Sequence, residues 1–374
     1  MRCKRRISRP IAPIRMLLLL AAVWGLLSAA AGIARAQGVA KDQSGTLTAG
    51  ASDETKNWFV RHFAGTYAEI ATYIGSGSFY TSGYRNPYVS NALYLRPSFQ
   101  LGTKYGLSLN ARAYLEEEYT QPDNPQARRF YPLDTWVYLA AKNIYTHPGT
   151  KIRFSGALRV VVPTSYESRY AHLVTGVGLG GAANRAFELG KPDSQGKRWG
   201  LNVSLGSVFT KYYRSSDLRG TGAGDTSGCR IPAGAPPASS HTGPDGQPTA
   251  SDTDRCGGPH NSNFAIMTSA SAALNRHRWS LTGTLIVINE VHYSTPADQF
   301  VDPNAVTTGR ADWTWAILGV GYDVTDHFGV SAGVSSYQPA LNSRNGNIRF
   351  PFFDFQGPNA YNYTQVFVSL NGTI

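Results

Sequence analysis

From about residue 65 to the C-terminus, apolar and polar residues alternate in stretches of 10–15 residues, separated by breaks rich in Gly, Pro, Asn and Asp. Alternation gives a strand one apolar and one polar face, so it cannot be buried on both sides. The pattern predicts strands at 65–75, 88–101, 106–119, 134–146, 151–163, 170–183, 198–213, 262–274, 278–292, 310–323, 328–338 and 361–373. Twelve is an even number, and strands of this kind close most simply into an antiparallel up-and-down β-barrel in a lipid bilayer. The expected fold class is therefore all-β, a transmembrane barrel of about 12 strands.

The connections alternate in length. Short ones fall at 102–105, 147–150, 275–277 and 324–327, and long ones at 76–87, 120–133, 214–261, 293–309 and 339–360. Short periplasmic turns and long outer loops are what barrel insertion produces. Two connections break the rhythm: 164–169 is short for an outer loop, and 184–197 is long for an inner turn. Pro97 inside a strand predicts a bulge, since it removes a ladder hydrogen bond. Residues 54–74 also place Phe59, Phe63, Tyr67, Ile70 and Ile74 at helical spacing, so both strand and helix stand for this segment.

The faces follow from the alternation. In 278–292, Trp279, Leu281 and Leu285 face lipid while Thr282, Thr284 and Glu290 face in; in 151–163, Phe154, Leu158 and Val160 oppose Arg153, Ser155 and Arg159. Trp313 and Trp315 are assigned with Trp279 to the lipid interface, where aromatics collect.

Residues 1–36 change the charge picture. A basic stretch without acids leads into an apolar run, Met16 to Ile33, and a small-x-small site at Ala34-Arg35-Ala36, which reads as a secretory signal peptide cleaved before Gln37. That segment carries seven basic residues and no acid; its loss takes 35 basic against 24 acidic to 28 against 24, a net charge of +4. The basic excess is thus mostly in the discarded segment, and nucleic-acid binding is rejected. Residues 37–64 read as a periplasmic N-terminal tail, with the barrel over 65–374. No mature apolar stretch approaches the roughly 20 residues of a membrane helix.

Loop 214–261 holds Cys229 and Cys256, the two cysteines left after cleavage. An isolated pair in an oxidising compartment predicts a disulfide across the largest external loop. A metal site needs more ligands than the nearby His241 and His260, and no cofactor motif is present.

The chain resembles outer-membrane β-barrel proteins of Gram-negative bacteria, including small porin-like transporters of twelve strands. The stretch Val162-Pro163-Thr164-Ser165-Tyr166-Glu167-Ser168-Arg169 is similar to a strand-to-loop pattern in such proteins, and Val366, Val368, Leu370 and Ile374 give an alternating C-terminal face. The resemblance implies outer-membrane lipid, the barrel assembly machinery and small solutes as partners.

Projected inward, the alternation predicts a lumen lined by Arg96, Arg112 and Arg159 near mid-strand, with Glu69, Glu116, Glu118 and Glu290. One reading is a basic wall that draws anionic solutes through a pore. The other is a salt-bridged filling, with Glu69 beside Arg96. A non-conducting barrel that displays its long loops as a binding or adhesion surface is a further reading. His260-Asn261-Ser262-Asn263 resembles the signature of outer-membrane phospholipase A, which implies a remote ester-hydrolase alternative with Ser262 as nucleophile. The sequence favours a passive channel and no enzyme.

Overall fold

The computed structural model describes residues 58–75, 88–120, 130–216, 261–293, 310–340, 348–350, 352 and 363–374. Its strands are β1 (Tyr67–Gly75), β2 (Val89–Arg96), β3 (Ser98–Gly102), β4 (Leu107–Glu118), β5 (Phe130–Pro132), β6 (Thr135–Thr146) and β7 (Arg153–Val162). The second half adds β8 (Leu173–Leu189), β9 (Trp199–Arg214), β10 (Ser262–Arg276), β11 (Trp279–His292), β12 (Arg310–Asp323), β13 (Phe328–Pro339) and β14 (Tyr363–Thr373).

All neighbours pair antiparallel, and β1 pairs with β14 on one side and β2 on the other, so the sheet closes without an edge. β2 and β3 are one path interrupted at Pro97, and both pair with β4. Pro97 gives up a donor, as its ring requires, but its carbonyl still accepts from the Ala111 amide at 3.1 Å. β5 and β6 likewise share β4 as partner. Fourteen segments therefore make a twelve-path barrel.

The ends of the chain are tied into this closure. The Gly65 amide donates to the Ile374 carbonyl at 2.7 Å, and the Ile374 amide donates to Thr66 at 3.0 Å. Just before them lies a short helix, α1 (Trp58–Phe63), inside the segment expected to be a tail. Its His62 and Phe63 rings pack 5.5 Å from Phe99, and Gln100 Nε2 donates to the Ala64 carbonyl. The two readings of 54–74 are both realised, one after the other. Gly65, at φ +88°, makes the turn between helix and strand, a conformation that costs glycine little.

The outward face is apolar all round. Leu179, Leu205 and Val368 are 67%, 58% and 61% exposed, and Leu109, Leu158, Leu285 and Leu318 continue the band. Left in water, each would forgo roughly 1.5–3 kcal/mol of burial. A closed antiparallel barrel with an apolar belt is the β solution to crossing a bilayer, because every strand hydrogen bond is made within the wall. The chain is a transmembrane β-barrel. At the end with short turns, Trp279 is exposed on the outward face with its ring centre 4.8 Å from that of Tyr322, and Tyr105, Tyr145 and Trp199 are exposed near the same end. Amphipathic rings belong at this boundary.

The two connections that broke the rhythm have distinct causes. β8 runs on to Leu189 and β9 starts at Trp199, so the hairpin is long and its turn is only 190–198. Asp193 organises that turn: its carboxylate accepts from the Gln195 and Lys197 amides at 2.9 Å, and His277 and Arg276 of the next turn approach it at 2.7 and 3.6 Å. These donors, the Lys197 amide foremost, hold its carboxyl below the usual range. The connection after β7 contains a second short helix, α2 (Tyr166–Tyr170).

Candidate functional site

The register fixes what faces the lumen. Tyr94 of β2 opposes Tyr114 of β4, Arg112 opposes Trp136 of β6, and Tyr138 opposes Arg159 of β7, so these side chains share the inner wall. They form a run of alternating cations and rings. The Arg112 guanidinium carbon lies 5.2 Å from the Tyr94 ring centre and 4.7 Å from that of Trp136, and the Arg159 carbon lies 4.3 Å from Trp136. Arg96 sits 5.5 Å over Tyr67. Each such contact contributes about 0.5–2 kcal/mol, more as water is excluded.

Arg96, Arg112 and Arg159 are thus held against rings rather than in ion pairs with described carboxylates. Arg96 opposes Tyr67 and Glu69 opposes Tyr94, and the Tyr67 hydroxyl donates to Glu69 Oε2 at 2.6 Å. Among the described residues, no carboxylate lies within the 4.0 Å ion-pair distance of Arg96, Arg112 or Arg159. The sequence placed Glu69 and Arg96 on adjacent strands, but register separates them by one inward position.

Arg159 is only 8% exposed. It lies across β8 and its Nε donates to Thr210 Oγ1 of β9 at 3.1 Å, with Nη2 on the same oxygen. Gly178 makes this crossing possible, since a Cβ there would stand 2.9 Å from Arg159 Cγ and Nε. Its neighbours on the inner face repeat the device. At Gly176 a Cβ would meet Val161 at 3.0 Å, and at Gly180 it would meet Val208 at 2.7 Å. This glycine stripe, absent from the sequence-derived site, has a legible signal: glycine at every second position of a strand.

At the end carrying the long connections the wall opens into a cavity of about 620 Å³, bordered by Arg112, Trp136, Tyr212, Arg214, Trp313 and Tyr337. One side of it is α2, held in place by β-barrel groups. Ser165 caps the helix by accepting from the Ser168 amide at 3.0 Å, its own amide donates to Asp134 Oδ1 at 3.0 Å, and Ser168 Oγ donates to Asp134 Oδ2. Thr164 Oγ1 accepts from the Thr135 amide and donates to the Leu133 carbonyl. The stretch from Val162 to Arg169 is thus a latch that brings Ser165, Glu167 and Ser168 to the cavity.

The acidic residues divide. Glu116 accepts from the Tyr114 hydroxyl at 3.2 Å and Glu118 from Thr120 Oγ1 at 2.7 Å. Glu290 borders the cavity, where Ser262 Oγ donates to it at 3.1 Å and His292 Nε2 stands 4.0 Å away. His260 lies outside the described residues, as do Cys229 and Cys256.

Two aromatics stand opposite to expectation. Trp313 borders the cavity, its ring stacked on Tyr337 at 5.1 Å and 4°. Trp315 shares its face, opposing Ile286 and Tyr337, while Leu318 and Val320 are exposed on the other side. β12 carries large apolar residues on both faces, so alternation alone does not say which is in.

No family model and no curated relative matches the sequence. Among solved structures, the chain is similar to an outer-membrane channel from Pseudomonas putida F1, with a TM-score of 0.45 and 11% identity over 83% of this chain and 96% of that one. It is also similar to the NanC porin, with a TM-score of 0.39 and 8% identity over 82% and 98%. Outer membrane phospholipase A from Escherichia coli follows at 0.28 and 10% over 83% and 93%.

Proposed function

We propose that the barrel is a passive channel for small hydrophilic solutes with a mild preference for anions. The observation that carries this reading is Arg112. Its guanidinium borders the cavity, rests against two aromatic faces, and has no carboxylate within ion-pair distance among the described residues. A cation held by ring faces keeps its in-plane N–H groups available to a carboxylate or phosphate. Asp134, on the same cavity, spends its oxygens on α2. Arg159 is a positioning residue in this reading: buried against Thr210, it supports Trp136 and through it the face on which Arg112 rests.

Liposome swelling tests the channel. Vesicles containing the purified barrel should swell in isosmotic arabinose and swell faster in the singly charged anion glucuronate than in glucosamine. Absence of swelling in all three would remove the channel reading, and faster swelling in glucosamine would remove the anion preference.

A further inference from the structure

A second feature of the inner wall lies near the long-connection end of β2 and β4. Glu116 and Glu118 are consecutive inward positions of β4, about 6.6 Å apart along the strand by its rise per residue. Their register partners are Ala92 and Ser90 of β2, which are 3% and 0% exposed. Glu118 is itself 8% exposed. Two carboxylates enclosed side by side repel each other and lose hydration, so something must compensate them. Among the described residues no Lys, Arg or His approaches either within 4.0 Å.

Their hydrogen bonds leave a definite set of oxygens. The Tyr114 hydroxyl occupies Glu116 Oε2 and the Thr120 hydroxyl occupies Glu118 Oε1. Among the described residues, no donor reaches Glu116 Oε1 or Glu118 Oε2. Ser90 Oγ, fully buried directly across from Glu118, has no hydrogen-bond partner among the described residues. A buried hydroxyl beside an ionised carboxylate ordinarily donates to it, so an orphaned one is informative. Its lone pairs, with one oxygen from each glutamate, make an all-oxygen donor set.

We propose that Glu116, Glu118 and Ser90 hold a hard divalent cation, with calcium as the best fit, on the inner wall of the barrel. Calcium accepts mono-dentate carboxylates and neutral oxygens in irregular geometry and completes its shell with water, whereas magnesium demands near-octahedral order. The two carboxylates supply the charge that sets affinity, and Ser90 supplies a buried neutral ligand. The site does not rest on the channel reading, although in a channel a bound cation would offset two lumenal negative charges and strengthen anion preference.

Terbium luminescence tests the site directly, because Tyr114 is close enough to sensitise a lanthanide held there. Folded barrel in detergent should show saturable terbium emission that calcium displaces and magnesium displaces poorly. Glu116→Gln with Glu118→Gln should weaken terbium binding at least about tenfold, as the loss of ligand charge requires. Ser90→Ala, a milder change, should weaken it less, and Glu188→Gln at the far end of the barrel should leave it unchanged. Retained β-type circular dichroism and heat-modifiable mobility exclude misfolding as the cause. Emission that does not saturate, or that is the same in the double variant, overturns the proposal. Calcium binding by a barrel that conducts nothing would uphold the site and sink the channel; conduction without calcium binding would do the reverse.

Discussion

Arg159 on β7 reaches over Gly178 on β8 to donate to Thr210 on β9, so one side chain joins three strands of the inner wall. Thr210 is fully buried beneath it. The contact couples a backbone requirement, the missing Cβ, to the position of the ring system that carries Arg112.

Gly178→Ala should therefore destabilise the barrel. The added methyl meets Arg159 at 2.9 Å and the Phe209 carbonyl at 2.8 Å, and the carbonyl belongs to a paired strand that has little room to move. A cost of about 1–3 kcal/mol is expected for such overpacking. Gly181→Ala, where the nearest atom is 3.5 Å away, is the control and should be tolerated. Urea unfolding in micelles, followed by tryptophan fluorescence, separates the two.

Arg159→Ala removes the other partner. Thr210 loses its bond and Trp136 loses a cation on its face, for a combined loss of about 2–4 kcal/mol. Arg159→Lys should recover part of this, because an ammonium can donate to Thr210 but cannot present a flat guanidinium to the indole. Equal destabilisation by both substitutions would argue that the stack contributes nothing beyond bulk packing.

How much of this was legible follows from the physics of each element. The strands were readable because each has one lipid face, which forces alternation: β10, β11 and β4 carry it cleanly. β12 was readable as a strand but not in its facing, since Trp313, Trp315 and Ile317 are as apolar as Leu318 and Val320 behind them. The inward arginines could be placed on their strands from parity, but not their partners. Register decides whether Arg96 meets Tyr67 or Glu69, and alternation is blind to a shift of two. The alternate glycines of β8 were a signal for a side chain lying across the strand; the identity of that side chain, Arg159, becomes visible only when β7 is placed beside it.

The latch on α2 gives a local prediction. Asp134→Ala deprives the Ser165 amide and the Ser168 hydroxyl of their acceptor. The helix is a single turn whose N-terminal cap leans on Asp134, so the exchange of the Ser168 amide should accelerate by roughly tenfold or more, the equivalent of about 1.4 kcal/mol. Hydrogen exchange with peptide-level readout over 163–172 measures it. Unchanged protection there would mean that α2 is fixed by other contacts.

The turn at Asp193 should respond to acid. Its carboxyl is depressed in the folded state, so its contribution is fully present above the ordinary aspartate value of about 3.9 and is lost as pH falls through the lower folded value. Protection of the Gln195 and Lys197 amides should fall in that acidic window, after correction for intrinsic exchange, and Asp193→Ala should show the unprotected behaviour at neutral pH. His277 and Arg276 face the same carboxylate, so Arg276→Gln should move the transition upward.

The central claim is that a lumenal guanidinium held by aromatic faces tunes passage through this barrel. The most direct measurement is the reversal potential of single channels in planar bilayers under a potassium chloride gradient. Wild-type protein should give discrete conductance with a chloride-favouring reversal potential, and Arg112→Glu should move that potential toward potassium while the channel still opens. A barrel that folds in the bilayer but never conducts, or one whose selectivity is the same with Arg112→Glu, would contradict the account.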